Sequence, residues 1–552
     1  MTRRFREVAE RVLDALLDES PEWALELGDP RGADRLSDHS EEADARRVRL
    51  FIDALGSLDD IDDDVLSPGD RVDLEVLRSR VSADLWRTTE PRPLSHDPLA
   101  YSPGEALLPL LERDLLPLAD RLRALAARCS ALPEYLAVAR QRLESGPGMS
   151  RVHVETALAR LEGARTLLDD AVPALAAREP DIAPADLENA LEAALVAVEE
   201  HGEWLSGRLE HATADPRLGE RVFAARLWYT LDSELSPEAL LVRAESDLIA
   251  TEEAIADIAS AYLRRPPGPG LAAEALARVA SENATDDATV RPLCEEALAF
   301  LDRRVRELDL VTVYDDPVEL APMSRARRGT TVARCEPPGP LDPRGGRRPT
   351  RVAVSPPPEE WSARRRASFF REYNAGLLRD LMIHEAMPGH ALQLAHAARH
   401  EGATRVGRAL RSGPFVEGWA VYAEELLARH GWSGDPAADT VLRLARLKTR
   451  LRMILNAILD VRLHTGDLTE AEAMTLLMDR GHQEEGRAAG TWRRAQVTSA
   501  RPSAHYVGHA EVADIARDLA VARPGASERA LHDAMLAHGS PPPRHLRTLL
   551  DL

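Results

Sequence analysis

The sequence predicts a mainly α-helical protein that carries one small β-rich insert. Strong helix formers, Ala, Leu, Glu and Arg, make up most of the 552 residues. Apolar residues recur three and four apart between charged ones over long stretches. One stretch, 309–358, breaks that pattern with short runs rich in Val and Thr, separated by Pro and Gly. At roughly 100–200 residues per domain, the length allows about three to five domain-sized units. It also suffices to bury a substantial core.

The first segment, MTRRFREVAERVLDALLDES, opens with arginines as a signal peptide does. Glu7, Glu10, Arg11 and Asp14 interrupt its apolar run, while Phe5, Val8, Val12, Leu13 and Leu16 recur at helical spacing. This predicts an amphipathic first helix and not a secretory leader. Residues 105–147 and 151–212 read as helix, punctuated or kinked at Pro103, Pro147, Pro173 and the Glu179-Pro180 step. Residues 236–263 and 285–308 continue the pattern. LVTVYDD (310–316), TTVARCE (330–336) and TRVAVSP (350–356) are expected as strands, and Pro356 to Pro358 end the last of them. From about 362 the helical pattern returns almost to Leu552. The expected organisation is a helical N-terminal region (1–308), a β-rich insert (309–361) and a helical C-terminal region (362–552), forming one integrated body.

Lys+Arg number 70 against 92 Asp+Glu, a formal charge of −22. This balance speaks against nucleic acid as a partner, which needs clustered cations and a positive field. It speaks equally against docking on an anionic membrane. No run of 18 apolar residues is present, so no membrane span is expected. Cys129, Cys294 and Cys335 lie far apart with no CxxC spacing, which fits a reducing, cytoplasmic compartment. Lys448 is the only lysine; an arginine bias of this kind reads as the habit of a GC-rich genome. From Arg325 to Arg366 eleven arginines face four acids, a local +7. Such a segment is either a carboxylate-binding surface or a solvated basic loop.

The segment FFREYNAGLLRDLMIHEAMPGHALQLAH (369–396) carries the chemistry. It places His384 beside Glu385 and His390 six residues after His384. Zinc sites of the helical kind use two histidines one turn apart. Six residues of ideal helix leave two side chains about 120° apart, so a regular helix would not converge them. Pro388-Gly389 offers a remedy. Proline withholds an N–H and clashes with the preceding turn, glycine admits unusual dihedrals, and a kink or widened turn could return His390 to His384. The competing reading is a helix that ends at Met387 with two unrelated histidines. Glu417, 27 residues after His390 in FVEGWAVYAEE, is placed to return on an antiparallel helix as a third ligand. Two histidines and one glutamate leave a fourth zinc position open, as catalytic sites do. Glu424 shares the face of Glu417 and is either a partner that orients a histidine or a surface acid. Tyr373, eleven residues before His384, falls on the same face if one helix carries both.

HEAMPGHALQ, EGWAVYAEE and ARPSAHYVG, together with DRVDLEVLRSRV (70–81) and HDPLAYSP (96–103), resemble the DUF885 family, bacterial proteins with an HExxPGH motif similar to gluzincin-type zinc metallopeptidases. The resemblance spans most of the chain. It implies His384, His390 and Glu417 as ligands of one zinc ion, Glu385 as general base, and the insert as an edge strand beside the metal. Such an edge can pair with extended peptide. One departure stands near the C-terminus, where the family usually reads like QLSTYFVG. Aligned on Gly508, this chain has His505 in place of the tyrosine and Arg501 in place of the glutamine. His505 or Tyr506 would then stabilise the oxyanion. Arg347, Arg348 and Arg501 are candidates for binding a substrate carboxylate. His505 and His509, four apart, form a weaker metal pair, and the acids Asp59 to Asp64 read as a solvated turn.

The expected function is metal-assisted hydrolysis of peptide or small amide bonds. Two other readings remain open. One is a non-peptidase zinc enzyme, an amidohydrolase or lyase, acting on a small amino-acid-like metabolite. The other is a metal-free helical binding protein. Histidine and carboxylate ligands also suit manganese or cobalt.

Overall fold

Phe5, Val8, Ala9, Val12, Leu13, Leu16 and Leu17 form one buried stripe along α1 (Thr2–Glu19), as their three-and-four spacing requires. The computed structural model describes residues 2–324, 332–344, 348–432 and 435–552. The chain divides into two compact units. The first comprises Met1–Pro216, Pro338–Arg347 and Gly402–Leu410, the second Arg217–Pro337, Arg348–Glu401 and Arg411–Leu552. The insert is thereby shared: its strands belong to the second unit and its 338–347 stretch to the first.

In the first unit, α2 (Leu118–Ser145) and α3 (Leu187–Ser206) contribute Leu125, Leu132, Leu136, Ala194 and Val198 to one core. Arg128 is fully buried there, and its guanidinium donates to the carbonyls of Ala33, at 2.7 Å, and Ala106. Backbone acceptors thus offset the cost of burying that charge.

Among the described residues the second unit holds a small apolar core of Ala259, Leu271 and Ala275 and two large ones. In one, α4 (Pro237–Leu263) supplies Leu240, Ala244, Leu248 and Ile255. In the other, α5 (Val290–Leu308) packs Cys294, Ala297 and Leu301 against the small sheet and the helices after it. The sheet has three strands, β1 (Val318–Pro322), β2 (Ala333–Glu336) and β3 (Thr350–Val354), in the order β1-β3-β2. β1 runs parallel to β3 with Val318 opposite Thr350, and β2 runs antiparallel with Arg334 opposite Ala353.

Two of the three expected strands form. LVTVYDD does not, and the first strand is VELAP a few residues on. The backbone of 310–312 spends its hydrogen bonds on side chains. The Thr312 N–H donates to Asp533 Oδ1 at 2.8 Å, and the Leu310 carbonyl lies 2.7 Å from His532 Nδ1. With Leu310 and Val311 buried at the same time, this Val-rich run reads as a strand yet commits these groups to α13 instead of a ladder.

The longer helices that follow are α6 (Ala363–Glu372), α7 (Ala375–Glu385), α8 (His390–Arg399), α9 (Gly413–His430), α10 (Pro436–Thr465), α11 (Glu485–Val497), α12 (Ala504–Ala522) and α13 (Glu528–Leu536). α9 and α12 meet backbone to backbone. A Cβ on Gly418 would lie 2.3 Å from the Gly508 carbonyl, and one on Gly508 would lie 2.0 Å from the Pro414 oxygen. Only paired glycines allow this approach, and it sets Glu417 on α9 beside His505 on α12. Cys129, Cys294 and Cys335 are all free thiols. Among the described residues no helix is long and apolar enough to cross a membrane.

A histidine–glutamate cluster as candidate metal centre

α7 starts abruptly because the Asn374 side chain accepts from the N–H groups of Gly376 and Leu377, at 3.1 and 3.2 Å. That cap corrects the expectation that Tyr373 and His384 share a helix face: Tyr373 sits in the turn before α7. It still lines the same cavity as His384. α7 ends at Glu385 and α8 begins at His390, so the chain turns through a break between two helices and not through a kink in one. The Met387-Pro388 peptide is cis. The Gly389 N–H donates to the Ile383 carbonyl at 3.0 Å, and a Cβ there would lie 2.0 Å from the His384 oxygen. Trp419 Nε1 donates to the Pro388 carbonyl at 2.9 Å and pins the turn to α9. The imidazoles of His384 and His390 consequently stand 4.6 Å apart, centroid to centroid, at 86°.

Glu417 lies at the centre of the cluster. Its Oε2 is 3.5 Å from His384 Nε2, 3.5 Å from His390 Nε2 and 3.1 Å from His505 Nε2. The ligand atoms of His384, Glu417 and His505 all lie within 4.8 Å of one another. Ligands about 2.1 Å from a tetrahedral zinc stand roughly 3.4 Å apart, so the 3.5 Å separations of Glu417 from His384 and from His390 fit one ion. The donor set, imidazole and carboxylate, fits zinc as well. Exposure separates the histidines. The side chains of His384 and His390 are 12% and 10% exposed, that of His505 49%. The first two are fixed, whereas His505 faces the cavity. His390 Nδ1 is buried with no hydrogen-bond partner among the described residues.

His384 Nδ1 lies 2.7 Å from Glu424 Oε1, which fixes the ring with Nε2 toward Glu417. Burial opposes charge on His384, but the bonds to Glu417 and Glu424 outweigh it and hold its pKa well above the ordinary value. Burial likewise opposes charge on Glu417, and His505 and His390 overcome it, holding this carboxyl far below the usual range. Glu424→Gln is expected to weaken metal binding about 10- to 100-fold while the fold persists, read by titration against a chelator. An unchanged affinity would show that Glu424 does not orient His384.

Glu385 lines the cavity, and its Oε2 accepts the Cys335 N–H at 2.7 Å. Cys335 lies on β2, an edge strand, so the insert does reach the cluster. Burial, then the charges of Glu385 and Glu336, push the Cys335 thiol well above its usual range.

Several expected residues lie elsewhere. Tyr506 is 1% exposed, and its hydroxyl donates to Asp247 Oδ2 at 2.8 Å. One residue along a helix turns about 100°, so with His505 at the cluster Tyr506 faces α4 and is no oxyanion donor. His509 bonds Glu425 at 2.9 Å and, among the described residues, is not in the ligand group of His384, Glu417 and His505. That bond and Arg446 help hold Glu425 down at about 2. Arg501 is exposed in a short turn and does not line the cavity; Asp460 holds the Ala500 N–H and the Ser503 hydroxyl at 3.0 and 2.6 Å, fixing that turn. Arg348 is half-buried and also lies off the cavity lining. Arg347 lies outside the described residues.

Sequence reading missed Asp380 and the arginines of α10 and α11. Asp380 is 2% exposed beside Glu424, and burial with that neighbour raises its carboxyl well above the usual range. Its place four residues before His384 was the available signal. In α10, basic residues at 446, 448, 450 and 452 crowd two turns of one helix, a pattern that calls for partners.

Fold and cluster together define a mainly helical protein whose histidine–glutamate centre is assembled at a glycine-bearing break between two helices. The chain belongs to the family described as "Bacterial protein of unknown function (DUF885)", whose model matches residues 21–550. It is similar to the solved structure of a "putative lipoprotein of unknown function" from Shewanella oneidensis, with TM-score 0.84, 24% identity, and coverage of 99% of this chain and 100% of that one. A second similar structure, a "putative lipoprotein" from Colwellia psychrerythraea, has TM-score 0.82 at 14% identity, covering 100% of this chain and 98% of that one. At such identities the likeness establishes the fold. No curated protein matches the chain.

Proposed function

We propose that the protein is a zinc-dependent hydrolase, a metallopeptidase cleaving peptide or amide bonds of small peptides. The observation that carries this reading is the convergence of His384, His390 and His505 on one Glu417 oxygen, with Glu385 lining the adjoining cavity. His384, His390 and Glu417 would hold the metal. When bound, zinc supplies Lewis acidity and lowers the pKa of water toward ~7.

The chain's own groups do the rest. Glu385 takes the proton of the attacking water and passes it to the leaving amine. The Cys335 N–H anchors one of its oxygens, leaving the other for that proton. His505, open to the cavity, donates to the developing oxyanion. The outer edge of β2 offers backbone groups to an extended substrate. The substrate of this reading is a peptide or small amide, and the formal charge of −22 speaks against nucleic acid as a partner. Three free thiols support a cytoplasmic location, and the lipoprotein description of the two similar structures makes the cell envelope the competing outcome, which fractionation separates.

Two measurements test the reading. Elemental analysis of purified protein is expected to give one zinc per chain, and a peptide library is expected to yield defined cleavage products that a chelator abolishes. No bound zinc even after zinc addition would favour a metal-free binding protein. Bound zinc with no peptide cleaved would favour a small-metabolite enzyme.

A further inference from the structure

The cavity beside the cluster has a volume of about 260 Å³. His384, Glu385 and His505 line it, and so do Tyr373, Arg487 and Arg494. This is just below the ~300–1,000 Å³ of drug-sized sites. It admits the end of a small molecule and excludes a folded partner.

The cations around it pair off, with two left over. Arg446 and Arg450 on α10 share Glu425, at 3.0 and 3.7 Å. Lys448 and Arg452, on the same helix, share the buried Glu372, at 2.7 and 3.7 Å. Arg487 and Arg494 on α11 are seven residues apart and therefore share a face. Among the described residues neither makes an ion pair, although Glu372, already held by Lys448 and Arg452, also attracts Arg487. Arg487 donates only a long bond, 3.4 Å, to the Tyr373 hydroxyl, and its Nε is buried with no partner. Arg494 is exposed, and its side chain lines the cavity. Burial, then Arg487, lowers the pKa of Arg452, and burial, then Arg487 and Arg452, lowers that of Arg494; burial opposes charge on Arg487 too, but Tyr373 and Glu372 outweigh it and raise its pKa. Like charges gathered in a recess with unspent N–H groups are costly unless an anion meets them.

We propose that Arg487 and Arg494 form a subsite for a free carboxylate of the substrate, in the same cavity as the candidate metal centre. This rests on the hydrolase reading for the identity of the ligand as a substrate. A guanidinium fork matches a carboxylate in two parallel hydrogen bonds. Glu385 and Glu424 line the same cavity and disfavour a more highly charged anion such as phosphate. The proposal thus assigns the carboxylate specificity to α11. Substrates of this class are peptides or N-acyl amino acids with a free terminal acid.

Binding tests the subsite apart from catalysis. Calorimetry would compare a dipeptide, its C-terminal amide and inorganic phosphate, on wild-type protein and on Arg494→Gln, each with and without zinc. The expected result is tighter binding of the free acid than of the amide by wild type, and at least a tenfold loss for the acid in Arg494→Gln. Because that change removes one of several repelling charges, its ligand-free Tm is expected to equal or exceed that of wild type, which a merely structural arginine would not give. Arg487→Gln is the second variant, with the same loss expected. Equal binding of acid and amide, binding of phosphate in place of the acid, or unchanged acid binding in both variants would overturn the subsite. If acid binding follows the expected pattern but no peptide or amide is cleaved by zinc-loaded protein, the subsite stands and the hydrolase reading falls.

Discussion

Glu385→Gln is expected to lower kcat by about 100- to 10,000-fold while zinc stoichiometry and the melting temperature stay unchanged. The amide keeps the shape of the side chain and an oxygen for the Cys335 N–H, now 2.7 Å away, so the break after α7 need not move. What it loses is the capacity to take a proton from water. Glu385 is also not in contact with the candidate ligands through any hydrogen bond, so His384, His390 and Glu417 keep their arrangement. Parallel measurement of bound zinc and of cleavage separates the two roles. Full activity in this variant would remove Glu385 from the mechanism, and loss of zinc would move it into the metal-holding set.

The sequence disclosed the helical body because α1 and its successors bury a stripe whose period is visible in the residues themselves. It disclosed the cluster in parts. His384, Glu385, His390 and Glu417 were readable from adjacency and spacing. The way His390 returns was not, because spacing cannot choose between a kinked helix and two helices. That choice rests on the Gly389 contact with the Ile383 and His384 carbonyls and on the Trp419 bond to Pro388. Tyr506 was misread for a related reason: proximity in sequence to His505 says nothing of direction until the helix start at Ala504 is known. The LVTVYDD strand failed because its partners, His532 and Asp533, lie more than 200 residues away on α13. Arg487 and Arg494 were invisible as a pair, since only the fold shows which acids the neighbouring cations have already taken.

Gly508→Ala is expected to destabilise the protein by about 1–3 kcal/mol and to weaken zinc binding at the same time. Alanine is intrinsically the better helix residue by roughly 1 kcal/mol, so propensity alone would predict a gain. Geometry decides against it. The new methyl would sit 2.0 Å from the Pro414 carbonyl oxygen and 3.1 Å from the Gly418 nitrogen, both backbone atoms that no rotamer change can move. α9 and α12 would have to separate, and α9 carries Glu417 while α12 carries His505. Metal sites tolerate ligand displacements of only about 0.2 Å, so even a partial separation is felt there. Gly490 supplies the control. It lies inside α11, and a Cβ there meets nothing within 4 Å. Gly490→Ala is therefore expected to stabilise by up to about 1 kcal/mol with zinc affinity unchanged. Thermal melts and chelator titrations on the two variants give opposite signs if the α9–α12 contact holds the cluster together. A Gly508→Ala protein that binds zinc as tightly as wild type would show that the cluster does not depend on that contact.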